Sequence, residues 1–592
     1  MAPGPDPYAA MTASNRFGLG AKPGDLALAA SDPRGFLLEE TRAQGAGLIP
    51  AEGLSSTPRA LQMFFAEQQQ LRVARETAAA MAAPLAMASA NASPTDAKAT
   101  DAKPVDAKPA EAKPEPQEPP VEQRLFRAEA MARFNAQMKA GAGLVERLVA
   151  FWSNHFAVSV AKGQAVRATA GAFEREAIRP HVLGKFLDLL IAVESHPAMI
   201  FYLDNQRSIG PGSNAGRFDG KGLNENLARE ILELHTLGVD GGYAQPDVTA
   251  LARIITGWSF AEAGSETGQP GAFLFKANWH EPGVHNLLGK NYPQTGRAQG
   301  EAALRDLARH PSTARHIATK LARHFVADAP PTDLVDALTK AFRDSDGDLA
   351  VVTAALVTHD RAWSAPPTKI RDPNEFVIAA LRATAFTPND PGQILGVMNS
   401  LGMPLWQPAG PNGYADTTAV WASPEQMKLR LDVSWQMAQR ARDYGAPLGV
   451  LDTVCGLAAS RETREALLHA ESRPQALALL FMSPEFQRRW HEASRSRADP
   501  FAPRGAAGPV GLLRGGLRAQ GPQRRRRARS ARRGDHFARR ARWSDGGRAD
   551  WRSRLRVAAR RAGAAGGWRA RRTSARRLFR AQSGDARFRP PL

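Results

Sequence analysis

The chain has 592 residues, of which 43% are apolar, enough to bury a large core in two or more ordinary domains. Its single cysteine, Cys455, excludes an internal disulfide framework and any multi-cysteine metal site, so packing must hold the fold. The formal charge of +20 divides at Trp490: residues 491–592 hold 29 Arg, no Lys and six Asp or Glu, which is +23, leaving −3 for residues 1–490 and no electrostatic reason to expect a nucleic-acid partner of the body.

The first twenty residues show no basic stretch followed by an apolar run, and no segment reaches the roughly 20 apolar residues of a membrane span. The expectation is a soluble chain that is cytoplasmic, or that reaches the periplasm or cell envelope by co-export with a partner. Residues 11–80 read as a small N-terminal helical segment. Residues 81–120 read as a disordered linker, because the Ala, Lys, Pro and acidic repeat of 92–120 has almost nothing to bury.

From 121 to 490 the pattern is helical. In residues 312–326, Ala314, Ile317, Ala318, Leu321, Ala322 and Phe325 recur at three- and four-residue steps, one buried stripe with Ser312 as the expected N-cap. Similar stripes occupy 144–152, 184–195, 223–237, 247–256, 333–343, 372–384 and 424–441. FLFKANW (273–279) and HNLLGK (285–290) read as one or two small hairpins. The expected fold class is all-α, a mostly helical bundle with long irregular loops and at most a few short strands, followed by a disordered Arg-rich tail.

The densest polar stretch is GLNENLAREILELHTLGVDGGYAQPDVTALARIITGWSF, 222–260. A helix over 223–237 would turn Leu227, Ile231 and Leu234 inward and set Glu230 and Glu233 side by side, with Asn226 one turn earlier. Paired carboxylates hold a divalent cation or split their pKa values for acid/base work. His235 and His155 would complete such a site, with His280 as a further ligand, which makes Glu230, Glu233 and His235 the catalytic candidates and His155, Glu230, Glu233 and His280 the metal candidates. The competing reading makes them structural: Glu225 and Arg229 an i,i+4 pair, Glu230 and Glu233 partners of Arg253 or another arginine, His235 at the negative end of its helix. Leu232 stands three residues before His235, so the Glu-x-x-His motif of the ferritin-like proteins is absent there.

Other segments carry less. Asp344, Asp346 and Asp348 imitate an EF-hand loop but lack its glycine and final glutamate, so they read as a turn before a helix. His280 and His285, with Glu281, lie in a loop and form a second possible ligand pair. Trp258, Trp406 and Tyr414, with Trp421 nearby, read either as a platform for a sugar or other flat ligand or as packing for a long loop. No nucleophile elbow, phosphate loop or His-Glu-x-x-His is present, and Cys455 reads as a core residue.

The 222–260 stretch, together with LVAFWSNHF (148–156), IRPHVLGKFLDLLIAVESHPAMIFYLDN (178–205), HPSTARHIATKLARHFVAD (310–328), LGMPLWQPAGPNGY (401–414) and MSPEFQRR (482–489), resembles the bacterial domain of unknown function 1800 family, from about Asn15 to Arg489. The resemblance implies no established activity and no catalytic residue. Where the family carries His-Asp-x-Gly-x-Lys, this chain has His280, Glu281, Gly283 and His285, so any cationic role of that lysine is lost or altered.

The tail from 491 reads as an out-of-frame translation. Shifted by one base, the residues from Phe579 become FGLNPAMPAFARL and those around Trp543 become GLTAAVPTG, which resemble the start of the domain of unknown function 1501 family, sulfatase-like proteins with twin-arginine export signals. The leading expectation is therefore a helical accessory or scaffold protein that works with such a sulfatase-like exported partner. The alternative is a metal-assisted hydrolase of an extracellular polymer. Polyanion binding through the basic tail comes third.

Overall fold

The periodic segments fold as helices whose apolar faces meet in one continuous core. The computed structural model describes residues 6–90, 118–219 and 222–489, apart from 266, 367, 442, 444, 457 and 458, with backbone alone for 81–90, 218 and 219. These residues lie in the first of two units, 1–503; the second unit, 504–592, and most of the expected linker and tail fall outside the described residues.

The fold is all-α. Val121–Lys139 packs on Gln164–Phe173, Pro311–Phe325 on Thr332–Asp344, and Pro424–Arg440 on Arg473–Met482. The stripe of Pro311–Phe325 is buried as its spacing predicts, with Ile317, Ala322 and Phe325 fully inaccessible. Truncating one such residue, as in Ile317→Ala, costs about 2–5 kcal/mol. The N-cap lies two residues earlier than expected: it is His310, not Ser312, its Nδ1 accepting Ser312 N–H at 3.2 Å, because Pro311 is preset for the first helical position.

Among the described residues, four three-residue strands form two antiparallel ribbons. His285–Leu287 pairs with Lys290–Tyr292, the hairpin the sequence predicts. Phe273–Phe275 instead pairs with Trp258–Phe260 across a longer loop. Asp348 caps Leu349–Thr358 while Asp346 pairs with Arg309 at 2.8 Å, so this acidic run is a turn before a helix. Cys455 is buried, and burial pushes its thiol above the ordinary value.

Three helical stretches widen into π-turns, at Ala13–Phe17, Glu174–Ile178 and Ile231–Thr236. A π-turn adds a residue per turn and shifts which side chains face inward. Each one delivers polar groups to the core: Asn15 and Arg16, Glu174, and His235 are all buried. Arg16 binds the carbonyls of Ala362 at 2.8 Å and Ala365 at 2.6 Å, which fastens residues 13–17 to the far side of the same core. Thr57–Ala90 runs ten residues beyond the expected start of the linker at 81.

Candidate functional site

The expected helix over 223–237 is an α-turn, Asn226–Glu230, continued by the π-turn Ile231–Thr236, with Leu237 N–H bonded to Leu232 C=O at 3.0 Å. The wider winding buries Leu232 instead of Leu234 and drives His235 fully inside. There His235 Nδ1 meets Glu194 Oε1 at 2.7 Å. His235 Nε2 and Glu194 Oε2 are buried without hydrogen-bond partners.

His155 lies one step away, its Nε2 donating to the His235 carbonyl at 3.2 Å and its Nδ1 accepting from Lys320 Nζ at 2.8 Å. Burial, with Lys320 beside it, holds His155 well below its ordinary pKa, and burial pushes Lys320 down to about 8. His316 Nε2 donates to the Leu234 carbonyl at 3.1 Å. This seam is held together by paired groups, with His235 Nε2 and Glu194 Oε2 left over.

The expected metal set does not converge. Among the described residues no three His, Cys, Asp or Glu side chains are arranged to hold a metal ion. Glu233 accepts from Tyr243 Oη at 3.0 Å, and Glu230 is half-buried beside it, raised above the ordinary carboxylate range by burial against the pull of His235. His280 Nδ1 meets the Thr256 carbonyl at 3.1 Å. Glu281 takes Gly212 N–H at 2.7 Å, pinning the 210–213 loop, and His285 enters a strand. Glu225 and Arg229 form their i,i+4 pair at 3.3 Å.

Of the three aromatic candidates, the fold brings two together. Trp258 is fully buried in its strand, edge-on to Phe273 and so close to Gly300 that a Cβ there would stand 2.5 Å from the indole. Trp406 and Tyr414 line one cleft, with a cavity of about 60 Å³, under the loop 401–416. That loop is clamped from below. Asn154 donates to the Tyr414 carbonyl at 2.9 Å and accepts Tyr414 N–H at 2.7 Å, and Val160 N–H meets the Trp406 carbonyl at 2.8 Å. Gly413 is required there, because a Cβ would lie 2.3 Å from the Asn154 carbonyl.

Trp406 is held at φ +48°, a backbone strain of about 1–3 kcal/mol for a residue other than glycine. Its indole N–H donates to Glu174 at 3.1 Å, and the Phe126 ring stands edge-on at 5.7 Å. Glu174 also pairs with Arg133 and Arg179, so the cations of this wall are already neutralised.

The cleft floor is acidic and comes from residues that the sequence reading passed over. Asp416 takes His324 Nδ1 at 3.0 Å and Lys369 Nζ at 2.8 Å, and with Arg489 these hold it well below the ordinary range in spite of burial. Asp372 caps Pro373–Thr384 by accepting Glu375 N–H at 2.8 Å. Beneath it Glu375 joins Arg147 at 2.9 Å and Arg489 at 2.5 Å, all nearly inaccessible. Asn374 also lines the cleft, 3% exposed, and its Oδ1 has no partner.

One sequence signal pointed here. His316, Lys320 and His324 stand four apart on Pro311–Phe325, a polar row beside the apolar stripe that runs from the seam at Leu234 to the cleft at Asp416. Asp372 and Asp416 carry no motif; only the fold joins them.

No curated protein and no solved structure matches the chain. A family model described as a protein of unknown function (DUF1800) matches residues 12–488, which span the seam, the cleft and both ribbons, and the chain belongs to that family.

Proposed function

We propose that this protein is a helical accessory protein that holds a neutral, hydroxyl-rich segment of an extracellular polymer in the cleft beneath Trp406 and Tyr414. The observation that carries the reading is the chemistry of the cleft: an aromatic wall over a floor of acceptors, of which Asn374 Oδ1 has no partner in the protein. Arg133 is paired with Glu174, both amide ends of Asn154 are used by Tyr414, and the Tyr414 hydroxyl donates to Pro404. What remains for a ligand is Asn374, Asp372 and Asp416, which accept hydrogen bonds and repel anions. Sugar hydroxyls and an aromatic face suit each other.

The sulfatase-like exported partner inferred from the shifted reading of the tail fits this chemistry. A cleft whose cations are already paired suits a segment from which anionic groups have been removed, and on this reading the chain acts after a sulfatase-like protein on the same polymer, in the periplasm or at the cell envelope by co-export. A metal-assisted hydrolase built on His155, Glu230, Glu233 and His280 has less support, since among the described residues no three His, Cys, Asp or Glu side chains are arranged to hold a metal ion. Polyanion binding by the tail falls on residues outside the described ones.

Isothermal titration of the full chain with neutral oligosaccharides tests the reading, with a sulfated glycan as comparison. Saturable binding of a neutral glycan that weakens about tenfold in Asn374→Ala, roughly the 1.4 kcal/mol of one hydrogen bond, supports it. Preference for the sulfated glycan would overturn it. Co-purification of the native chain with a sulfatase-like protein is the expected outcome for the partner; repeated purification alone would end that part.

A further inference from the structure

The cleft floor holds something that retention of a ligand does not require: two carboxyl groups from different elements in opposite surroundings. Asp372 stands at the head of Pro373–Thr384 and forms no salt bridge among the described residues. Asp416, in the loop that closes the cleft, is bound on one oxygen by Lys369 and on the other by His324. Both line the cleft with Trp406 and Tyr414, and beside them Asn374 keeps a buried Oδ1 with no partner in the protein, free to accept a hydrogen bond.

Resting on the reading of the cleft as a glycan site, we propose that it also hydrolyses a glycosidic bond in the segment it holds, with Asp372 as the proton donor and Asp416 as its ionised partner. Asp372 gives its carboxyl proton to the glycosidic oxygen as the bond from that oxygen to the anomeric carbon breaks, and the bonding pair leaves with the oxygen as an alcohol. The oxygen of a water molecule bonds to the anomeric carbon, and Asp416 takes the proton that the water releases. One water is consumed, two sugar ends are formed, and solvent returns the proton from Asp416 to Asp372. Paired carboxyl groups of this kind are the general machinery of glycoside hydrolysis.

The surroundings give each group the protonation its role needs. Burial, with Glu375 on the same helix, pushes Asp372 up to about 7, against Arg489 at the C-terminal end of the described chain, Arg147 of Leu144–His155 and Arg430 of Pro424–Arg440. Asp416 stays charged beside His324, Lys369 and Arg489. Separated pKa values in one site assign acid and base.

The test uses the full chain with neutral gluco- and N-acetylglucosamine oligosaccharides, following reducing ends and binding heat on the same samples. The expected result is release of reducing ends that declines as pH rises through about 7. Asp372→Asn should lose about 10²–10⁴ of turnover at saturating oligosaccharide, since asparagine keeps the helix cap but has no proton to give. Asp416→Asn should lose turnover as well, while a melting curve reports its fold. Binding without reducing ends, or an Asp372→Asn variant as active as the parent, overturns the hydrolysis and leaves the binding reading intact. No binding by any glycan overturns both.

Discussion

The seam around His235 and the cleft around Asp416 are built from the same residue types and joined by one helix, Pro311–Phe325, yet they are finished differently. In the seam, His155 spends both ring nitrogens, on Lys320 and on the His235 carbonyl, and His316 spends one on Leu234. The cleft leaves Asn374 Oδ1 without a partner and Asp372 without a salt bridge among the described residues, next to a cavity of about 60 Å³. The seam too keeps unpartnered atoms, His235 Nε2 and Glu194 Oε2, so what sets the cleft apart is that its unpartnered group belongs to a residue lining open space.

Substitutions sharpen that contrast, the largest effect coming from beneath the cleft. Glu375→Ala leaves Arg147 and Arg489 buried without their carboxylate and should lower the unfolding free energy by about 3–5 kcal/mol in urea titrations. A loss under 1 kcal/mol would mean the guanidinium groups are held by backbone carbonyls alone.

Next comes pH. The Asp372 carboxyl is raised from its ordinary 3.8 to about 7, so between those values the folded state binds more protons than the unfolded one, and this group lowers stability as pH rises through the window. His324 is lowered from 6.5 to about 4 by burial, so there the unfolded state binds more protons and stability rises with pH. The two slopes oppose each other between about pH 4 and 6.5. Asp372→Asn should remove the first, gaining on the order of 4 kcal/mol at pH 8 and exposing a rise through pH 4–6.5 in melting temperature. An unchanged pH profile would place Asp372 in contact with solvent.

Within the seam, Glu194→Gln removes the charge from a 2.7 Å bond to His235 and should cost about 1.5–3 kcal/mol of stability with no change in glycan affinity. A change in affinity measured by titration would make seam and cleft one site.

The sequence disclosed the helices well, because burial follows periodicity: all six apolar positions in Pro311–Phe325 are inside. It disclosed Trp406 and Tyr414 as neighbours because they lie in one loop. The π-turn at Ile231–Thr236 was not legible, since its extra residue per turn leaves no pattern in composition, and it displaced Leu234 in favour of Leu232. Nor did Asp372 and Asp416 stand out: they are separated by 43 intervening residues, and their partners, His324, Lys369 and Arg489, come from three further segments.

The most direct measurement is the calorimetric titration of Asn374→Ala against the parent with a neutral oligosaccharide, alongside thermal melts of both. Because nothing in the protein bonds to Asn374 Oδ1, the account predicts affinity about tenfold weaker at unchanged or higher stability. Equal affinity together with a lower melting temperature would make Asn374 a structural residue and contradict the cleft as the ligand site.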